Sequence, residues 1–436
     1  MTIIQRILPR FRLAAPRGPL RRPEGKLHLV FFCQWHGDPP TNGLERIVHQ
    51  LARGLAERGH TVRLMTRGER RRVAFEDGLW VHRVPAKPHP VPPDLTVPEN
   101  FWNYSASLHD ELMAVHRRDP VDAVQCPNWD SEGIATIASA EVPTVLGVYT
   151  PFKTWLPLNM GKLKDIPNLD GITNPIVAAE QFCYAHAGHL LACGPSIVAE
   201  IEEQYGMTVP SRRVAYIAHG MADMSKHVAR RRPDNDGELR ILFVGRLERR
   251  KGIDTVLDCI GPICGRHPNV RFVIVGDDKI EEESGVRHRQ VFENSAVGRA
   301  FGDRVRFTGL VGEGELWRHY ADCDIFVAPS RFESFGLILV EAMMFGHPVI
   351  GGLIPGMSEI VTDGEDGFLT SPDDPTALAQ LLDRLIVSPT LRQEIGRRGR
   401  FAYETKFTLE HMIGNAENFY CALVKETDAR LSAIES

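Results

Sequence analysis

The feature that most constrains this chain is an alternation of short apolar runs with segments whose apolar residues recur at helical spacing. Residues 27–33 form an apolar run typical of a buried strand. The apolar residues between 44 and 55 follow at intervals of three and four, and Gly59 closes that helix. Such alternation predicts an α/β fold with parallel sheets covered by helices on both faces. Further strands are predicted at residues 61–65, 121–125, 144–148, 190–192, 240–244, 270–275, 305–307, 325–328 and 348–351.

A polar, charged stretch at residues 230–237 interrupts the alternation, which then restarts. This stretch is typical of an interdomain linker, and 436 residues are long enough for two domains. We therefore predict a basic tail at 1–26, a first doubly wound domain at 27–229, a linker at 230–239 and a second doubly wound domain at 240–406. Ligands should bind at the carboxyl ends of strands, in a cleft between the two domains.

The composition is that of a globular protein, with 43% hydrophobic and 25% charged residues. A formal net charge of -5 argues against a general polyanion binder, so nucleic acid is not an expected partner. The eight cysteines include no C-x-x-C pair and mostly lie in apolar runs, which indicates reduced core thiols in a cytoplasmic protein. No stretch approaches the roughly 18 apolar residues of a membrane span.

The first 26 residues differ from the rest, because six arginines and Lys26 face a single acid, Glu24. Four prolines interrupt any long helix there. The tail is therefore either a disordered extension, a peripheral contact with the anionic inner membrane face, or a transit peptide.

The segment 332–342 carries the strongest chemical signal. It follows a predicted strand, and Ser334 is a suitable N-cap for a helix beginning beside Phe335 and Gly336. The free backbone N–H groups of that helix start would bind an anion. Glu341 lies seven residues beyond this cap, about 10 Å along the helix, so Glu333 and Glu341 could hold two hydroxyl-bearing rings joined by a diphosphate. On spacing alone, an exposed glutamate and an ordinary helical glutamate explain the pattern equally well.

Two loops add weaker signals. Arg246 and Lys251 follow a strand that ends at Gly245, and such cations can bind phosphate, although a solvated charged loop has the same composition. The loop at residues 37–46, with Asn42 and Gly43, lies where Rossmann-type folds bind ligands or simply connects two elements. It is not a G-x-G-x-x-G fingerprint, which argues against a nicotinamide-dependent oxidoreductase.

Taken in order, these residues resemble the retaining GT-B glycosyltransferases that carry an E-x7-E motif (glycosyl transferases group 1). The resemblance covers nearly all of the chain after residue 26. The matching positions are Gly43 with residues 59–62; Gly245, Arg246, Lys251 and Gly252; residues 275–276; residues 307–309; residues 322–324; residues 329–330 through 341–342; and Gly356, residues 359–361, residues 363–364 and Gly367.

The resemblance implies a GT-B architecture of two Rossmann-like domains, the first of which binds the acceptor, with helices at 407–436 crossing back to it. It implies a metal-independent hexosyltransferase without cofactor, which moves a sugar from a nucleotide-diphosphate donor to a sugar, lipid or small-molecule acceptor. In such enzymes, Arg246 and Lys251 would bind the diphosphate, Glu341 the ribose and Glu333 the transferred sugar. The backbone around the remaining donor-binding positions would complete the site, and these positions are Asn42, Gly43, Gly245, Gly309, Leu310, Phe335, Gly336 and Leu337.

One departure concerns the reacting centre. The predicted strand at 144–148 often ends in a histidine in this family, whereas Tyr149 occupies the position here. Tyrosine can donate a hydrogen bond but is a poor proton acceptor at neutral pH. Tyr149 is thus either an active-site residue or a packed aromatic. Two alternatives to the transferase remain open, a non-hydrolysing sugar-nucleotide epimerase and a non-catalytic nucleotide-sugar-binding member of the family.

Overall fold

The computed structural model describes residues 25–34, 43–159, 163, 166–229, 237–279, 285 and 287–435. Most of the basic tail, Asn42 and the centre of the predicted linker at 230–236 therefore lie outside the described residues. Among the described residues, no helix is both long and apolar enough to span a bilayer. All eight cysteines are free thiols, and all but Cys421 are buried.

The described chain divides into two compact units. The first contains the residues up to Pro157, those from 166 to 217 and those from Met412 onward, and the second contains residues 218–411 with the described residues between 158 and 163. The division thus precedes the predicted linker. The reason is local, because Met221 exchanges backbone hydrogen bonds of 3.0 and 2.9 Å with Phe407 and Leu409, and Asp223 pairs with Arg400.

The first unit is built on an eight-stranded sheet in the order β3-β4-β2-β1-β5-β6-β7-β8. Its central strands are continuously buried, as their apolar sequences predict. The strand order reverses between the neighbouring strands β1 and β5. The loops that follow these two strands therefore leave the carboxyl edge of the sheet in opposite directions. The strands are β1 His28–Phe32, β2 Thr61–Arg67, β3 Arg72–Glu76, β4 Leu79–Val84, β5 Ala123–Pro127, β6 Thr144–Val148, β7 His189–Ala192 and β8 Val214–Tyr216.

The sheet is not wholly parallel, which corrects the sequence-based expectation. Strand β3 pairs with β4 in antiparallel register, with Phe75 opposite Trp80. Asp77 and Gly78 connect the two strands with φ values of 49° and 82°. Both central residues thus have positive φ, as a tight two-residue hairpin turn requires.

Helices pack against this sheet. Helix α1 places its buried face, including Leu51 and Leu55, against the sheet. The last helix, α15, adds Tyr420, whose ring lies 6.2 Å from Phe31 and whose hydroxyl donates to Gln125. The helices named α1–α6 and α15 are Gly43–Glu57, Glu99–His116, Ile134–Ser139, Phe152–Trp155, Leu169–His186, Pro195–Tyr205 and Leu409–Glu435.

The second unit contains a six-stranded parallel sheet in the order β11-β10-β9-β12-β13-β14. The strand order of this sheet reverses between the neighbouring strands β9 and β12. The apolar side chains of β9, β10 and β12 pack with those of two helices, α7 and α13, in one buried core. The strands are β9 Leu239–Val244, β10 Val270–Val275, β11 Val305–Gly309, β12 Ile325–Ala328, β13 Val349–Gly352 and β14 Phe368–Thr370. The helices α7–α14 are Ile253–Arg266, His288–Asn294, Ala296–Phe301, Glu313–Asp322, Leu337–Met344, Pro355–Ser358, Pro375–Val387 and Pro389–Lys406.

Candidate active site

The switch point of the second sheet brings two loops together. The loop after β9 carries Lys251, and the loop after β12 carries Glu333. Between them, Gly252 has φ +72°, and a Cβ at this position would lie 2.0 Å from the carbonyl oxygen of Pro329. Only glycine permits both this backbone conformation and this approach. The close contact holds the first loop against the second, so residues 82 positions apart can meet.

Glu333 is held by three side chains. Lys251 Nζ donates a hydrogen bond to Glu333 Oε1, Ser330 Oγ donates to the same oxygen at 3.1 Å, and Arg250 Nη1 lies 3.8 Å from Oε2. Burial disfavours the carboxylate, but the charges of Lys251 and Arg250 outweigh it and lower the pKa of Glu333. Burial likewise lowers the pKa of Lys251, against the opposing effect of Glu333. The result is a mostly buried ion pair whose carboxylate is fixed in direction.

A second acidic residue organises the cations around this pair. Glu248 Oε1 lies 3.0 Å from Arg246 Nη2 and accepts a hydrogen bond from Arg250 Nε, also at 3.0 Å. The Arg246 side chain is 47% exposed, whereas that of Arg250 is 16% exposed. The sequence did not single out Arg250 and Glu248, because a run of charged residues after a strand is also typical of a solvated loop. Arg246, Arg250 and Lys251 nevertheless bring three positive charges to this edge, and such side chains bind phosphate.

Helix α11 begins at Leu337, without the side-chain cap that the sequence predicted. Its N-cap is Gly336, with φ +107°, and not Ser334. A left-handed residue at this position turns the chain into the helix, so Ser334 lies too far back to cap it. Phe335 is buried, with its ring centroid 5.1 Å from that of His219 and 6.0 Å from that of Phe407. The backbone N–H groups that begin a helix lack intrahelical partners and can bind an anion, although here the N–H of Leu339 already donates to the carbonyl of Gly336 at 2.9 Å.

Glu341 lies on the buried side of α11. It is 2% exposed, and its Oε2 accepts a hydrogen bond of 2.6 Å from the hydroxyl of Tyr320. The Tyr320 ring stacks on Phe345, with centroids 6.0 Å apart and planes 10° apart. Tyr320 therefore fixes the direction of the Glu341 carboxylate. No sequence pattern marked Tyr320, which looks like an ordinary core aromatic of helix α10.

The remaining candidates of the second unit line the carboxyl ends of neighbouring strands. Gly309 ends β11 with φ +70°, and Leu310 beyond it is 78% exposed. Gly245 directly follows β9, and a Cβ on Gly276 would lie 1.9 Å from the carbonyl oxygen of Gly245. The exposed side chain of Leu310 at this edge is available to pack against a planar apolar group of a ligand.

Two of the described candidates, Gly43 and Tyr149, belong to the first unit. Gly43 is the first residue of α1, while its neighbour Asn42 lies outside the described residues. Tyr149 directly follows β6 and is half-buried, and its backbone N–H donates to Asn128 Oδ1 at 2.9 Å. Burial raises the pKa of Tyr149, so the phenol keeps its proton.

Comparison with known proteins supports this architecture over most of the chain. Two family models match, a glycosyl transferase 4-like domain over residues 42–220 and glycosyl transferases group 1 over residues 226–401. The chain is 28% identical over 405 residues to the D-inositol 3-phosphate glycosyltransferase of Acidothermus cellulolyticus, covering 85% of this chain and 84% of that protein.

Two solved structures share the fold. Sucrose-phosphate synthase from Thermosynechococcus elongatus aligns with a TM-score of 0.70 and 22% identity, covering 92% of this chain and all of that one. Anabaena Alr3699/HepE, solved with UDP-glucose, aligns with a TM-score of 0.63 and 17% identity, covering 90% of this chain and 99% of that one. The predicted α/β class and GT-B architecture are thus confirmed. Together the two family models cover most of the chain. The chain therefore belongs to the glycosyl transferases group 1, a family of glycosyltransferases with the GT-B fold.

Proposed function

We propose that this glycosyltransferase retains the anomeric configuration of a sugar that it moves from a nucleotide-diphosphate donor to an acceptor. The observation that carries the proposal is the fixed Glu333 carboxylate among Lys251, Arg250 and Ser330. It lies at the switch point of the second sheet, where doubly wound folds bind ligands. The HepE structure with UDP-glucose supports a donor of this class.

The cations would stabilise the leaving group. Cleavage of the sugar–phosphate bond leaves extra negative charge on the diphosphate. Arg246 and Lys251, with the N–H groups that begin α11, are already placed before the charge develops, and such preorganised groups are the most effective stabilisers. The half-exposed guanidinium of Arg246 is the more accessible of the two.

The two glutamates would hold the two rings of the donor. Glu333 accepts hydrogen bonds from hydroxyls of the transferred sugar, and Glu341, oriented by Tyr320, accepts them from the ribose. Because Glu333 already accepts hydrogen bonds from an ammonium and a hydroxyl group, it is a weak nucleophile. This supports substitution in one step on the face from which the diphosphate leaves. Tyr149, whose phenol keeps its proton because burial raises its pKa, would act as a hydrogen-bond donor and not as a base.

We also propose that transfer needs no metal. A divalent ion would bind to paired carboxylates, and residues 322–324 form such a string. They precede β12, at the amino end of the sheet. There Asp324 accepts a hydrogen bond of 2.8 Å from the backbone N–H of Arg240, and Asp322 lies 3.9 Å from the Arg240 guanidinium. These contacts support a structural role away from the diphosphate.

The experiment measures nucleotide release and product configuration together. The chain is incubated with UDP-, ADP- and GDP-sugars and with D-inositol 3-phosphate, the substrate named for a relative, and with simple sugars as acceptors. We expect release of nucleoside diphosphate and, by proton NMR coupling constants, a product with the anomeric configuration of the donor. Glu333→Gln should lower the rate about 100-fold, and Arg249→Ala, in the same loop but paired with Asp254, should leave it unchanged.

Two results would contradict the proposal. An inverted product would refute retention. Conversion of the donor sugar without formation of a glycoside would indicate the epimerase instead.

A further inference from the structure

The hairpin of β3 and β4 leaves one edge of the first sheet open. Strand β3 is the last strand of that sheet, and among the described strands it pairs only with β4. Glu76 and Leu79 flank the two-residue turn and form a hydrogen-bonded pair, and such pairs alternate along an antiparallel ladder. Val73 and Phe75 fall between these pairs. Their backbone N–H and C=O groups therefore point away from β4, where another strand can bind them.

The side chains of this edge are apolar on one face and charged on the other. Val73 and Phe75 share a face with Trp80 of β4, and the three side chains are 38%, 62% and 42% exposed. Because successive residues of a strand alternate between faces, Arg72 and Glu76 lie together on the other face. An edge strand with exposed apolar side chains is a ready surface for another strand.

The sequence of β3 is complementary to itself in antiparallel register. Two copies that pair about Ala74 place Val73 of each copy opposite Phe75 of the other. Both residues direct their backbone groups outward, so each of these pairs exchanges two hydrogen bonds. The same register places Arg72 of each copy opposite Glu76 of the other. Apolar pairs and opposite charges directly across two strands both stabilise antiparallel sheets.

The two charged side chains are able to form these new contacts. Arg72 is exposed, and its guanidinium makes no hydrogen bond or ion pair with another described residue. Glu76 accepts two hydrogen bonds of 2.8 Å from Arg83 of the same hairpin, and its side chain is still 30% exposed. A carboxylate has about four acceptor positions, so Glu76 can accept from a second guanidinium.

The position of β3 separates this edge from the ligand-binding end of the sheet. Strands β4 and β2 lie between β3 and β1, so pairing through β3 leaves the loops after β1 and β5 uncovered. The opposite edge of the sheet is formed by β8, which has only three residues. So short an edge strand is a poor template for pairing, and β3 is the better candidate of the two.

We propose that two copies of this chain associate through β3 in a two-fold symmetric dimer, in which their first sheets join into one continuous sheet. The same residues then face each other across the symmetry axis. The interface consists of the five residues of β3 with Trp80 beside them, so it is smaller than that of a permanent dimer. Monomer and dimer should therefore be in equilibrium in the micromolar range. This association is independent of the transfer reaction.

Sedimentation velocity on the full chain at increasing micromolar concentrations measures the association. The original chain should form a dimer as its concentration rises. Val73→Pro removes an outward N–H and places a ring on the open edge, but it keeps the ladder to β4 because an edge strand tolerates proline on its open side. The dissociation constant should rise about tenfold or more, since the dimer uses this N–H once in each copy.

Charge reversal tests the register. Arg72→Glu and Glu76→Arg each place like charges across the strand pair, and each should weaken self-association about tenfold or more. An equal mixture of the two variants places opposite charges at both positions, so it should associate to within about threefold of the original chain. Arg212→Glu reverses an exposed charge just before β8, at the opposite edge of the sheet, and is the matched control that should change nothing.

Three results would each overturn the proposal. These are an original chain that stays monomeric at every concentration, a folded Val73→Pro variant that associates as before, and a mixture that associates no better than its two components. Circular dichroism shows whether each variant is folded, and if Val73→Pro is not, the mixture decides. A monomeric chain whose binding to anionic vesicles falls in Phe75→Ser would assign the apolar face to a membrane instead.

Discussion

Breaking the Lys251–Glu333 pair should separate stability from catalysis. The two side chains are 16% and 12% exposed, so replacing Lys251 by methionine leaves a mostly buried carboxylate without its nearest cation. Removing one partner of a buried pair costs about 3–5 kcal/mol. Arg250 at 3.8 Å and the Ser330 hydrogen bond still support Glu333, so we expect a loss of about 3 kcal/mol, near the lower end.

Adding Glu333→Gln to Lys251→Met removes both charges. The double variant should recover to within about 1 kcal/mol of the original stability, because the uncompensated carboxylate is gone. Its turnover should stay about 100-fold or more below the original, since the stabilising charge and the sugar contact are both absent. Urea unfolding followed by tryptophan fluorescence gives the stability, and nucleotide release gives the turnover.

Arg400→Met is the matched control for stability. Arg400 pairs with Asp223 in the same unit, with side chains 23% and 13% exposed. This variant should lose stability in the same way while the folded protein keeps its turnover within about twofold. If the double variant of Lys251 and Glu333 regained turnover along with stability, the pair would be structural and our reasoning about the diphosphate would be refuted.

Other predictions test separate parts of the molecule. Glu341→Ala should weaken nucleoside diphosphate binding by about 1.5–3 kcal/mol in calorimetry, and unchanged affinity would remove Glu341 from the ribose site. Burial raises the folded-state pKa of Glu132 from 4.5 to about 8, so the folded chain binds the proton more tightly than the unfolded chain and stability should fall as pH rises from about 4.5 to 8. Glu132→Gln should flatten that part of the stability profile, and an unchanged slope would contradict the buried acid. Transfer should survive excess chelator, and a loss restored by magnesium or manganese would place the counter-charge on a metal. Deleting the tail, residues 1–26, should reduce binding to anionic vesicles, and equal binding would leave the tail without a membrane role.

Apolar periodicity predicted most of the fold because buried strands and amphipathic helices differ in their spacing. The predicted strands at 144–148, 270–275 and 325–328 match β6, β10 and β12 at both ends. The hairpin of β3 and β4 was missed although the sequence contains its signal, an Asp77-Gly78 turn. Its strands expose Phe75 and Trp80, so their pattern lacks the apolar continuity of the central strands.

The candidate site was less predictable because its contacts join residues distant in sequence. Spacing within one helix says nothing about Lys251 meeting Glu333, which depends on the approach of Gly252 to Pro329. Arg250 and Tyr320 have no marker in the sequence, since an arginine in a charged loop and a tyrosine in a helix are both common. The raised pKa of Glu132 could not be predicted from the sequence either, because it arises from burial in the folded chain.

The last helix has a consequence for how the chain is made. Beyond Met412 it supplies Tyr420 to the first unit, and Glu417 bonds to His60 at 2.9 Å. The first unit is therefore incomplete while the roughly 190 residues of the second unit are being translated. At about 5–20 residues per second that interval lasts roughly 10–40 s. During this interval the last helix does not yet cover the surface around Phe31 and Gln125 of the ribosome-bound chain. We therefore expect a chaperone that binds apolar surface to bind there.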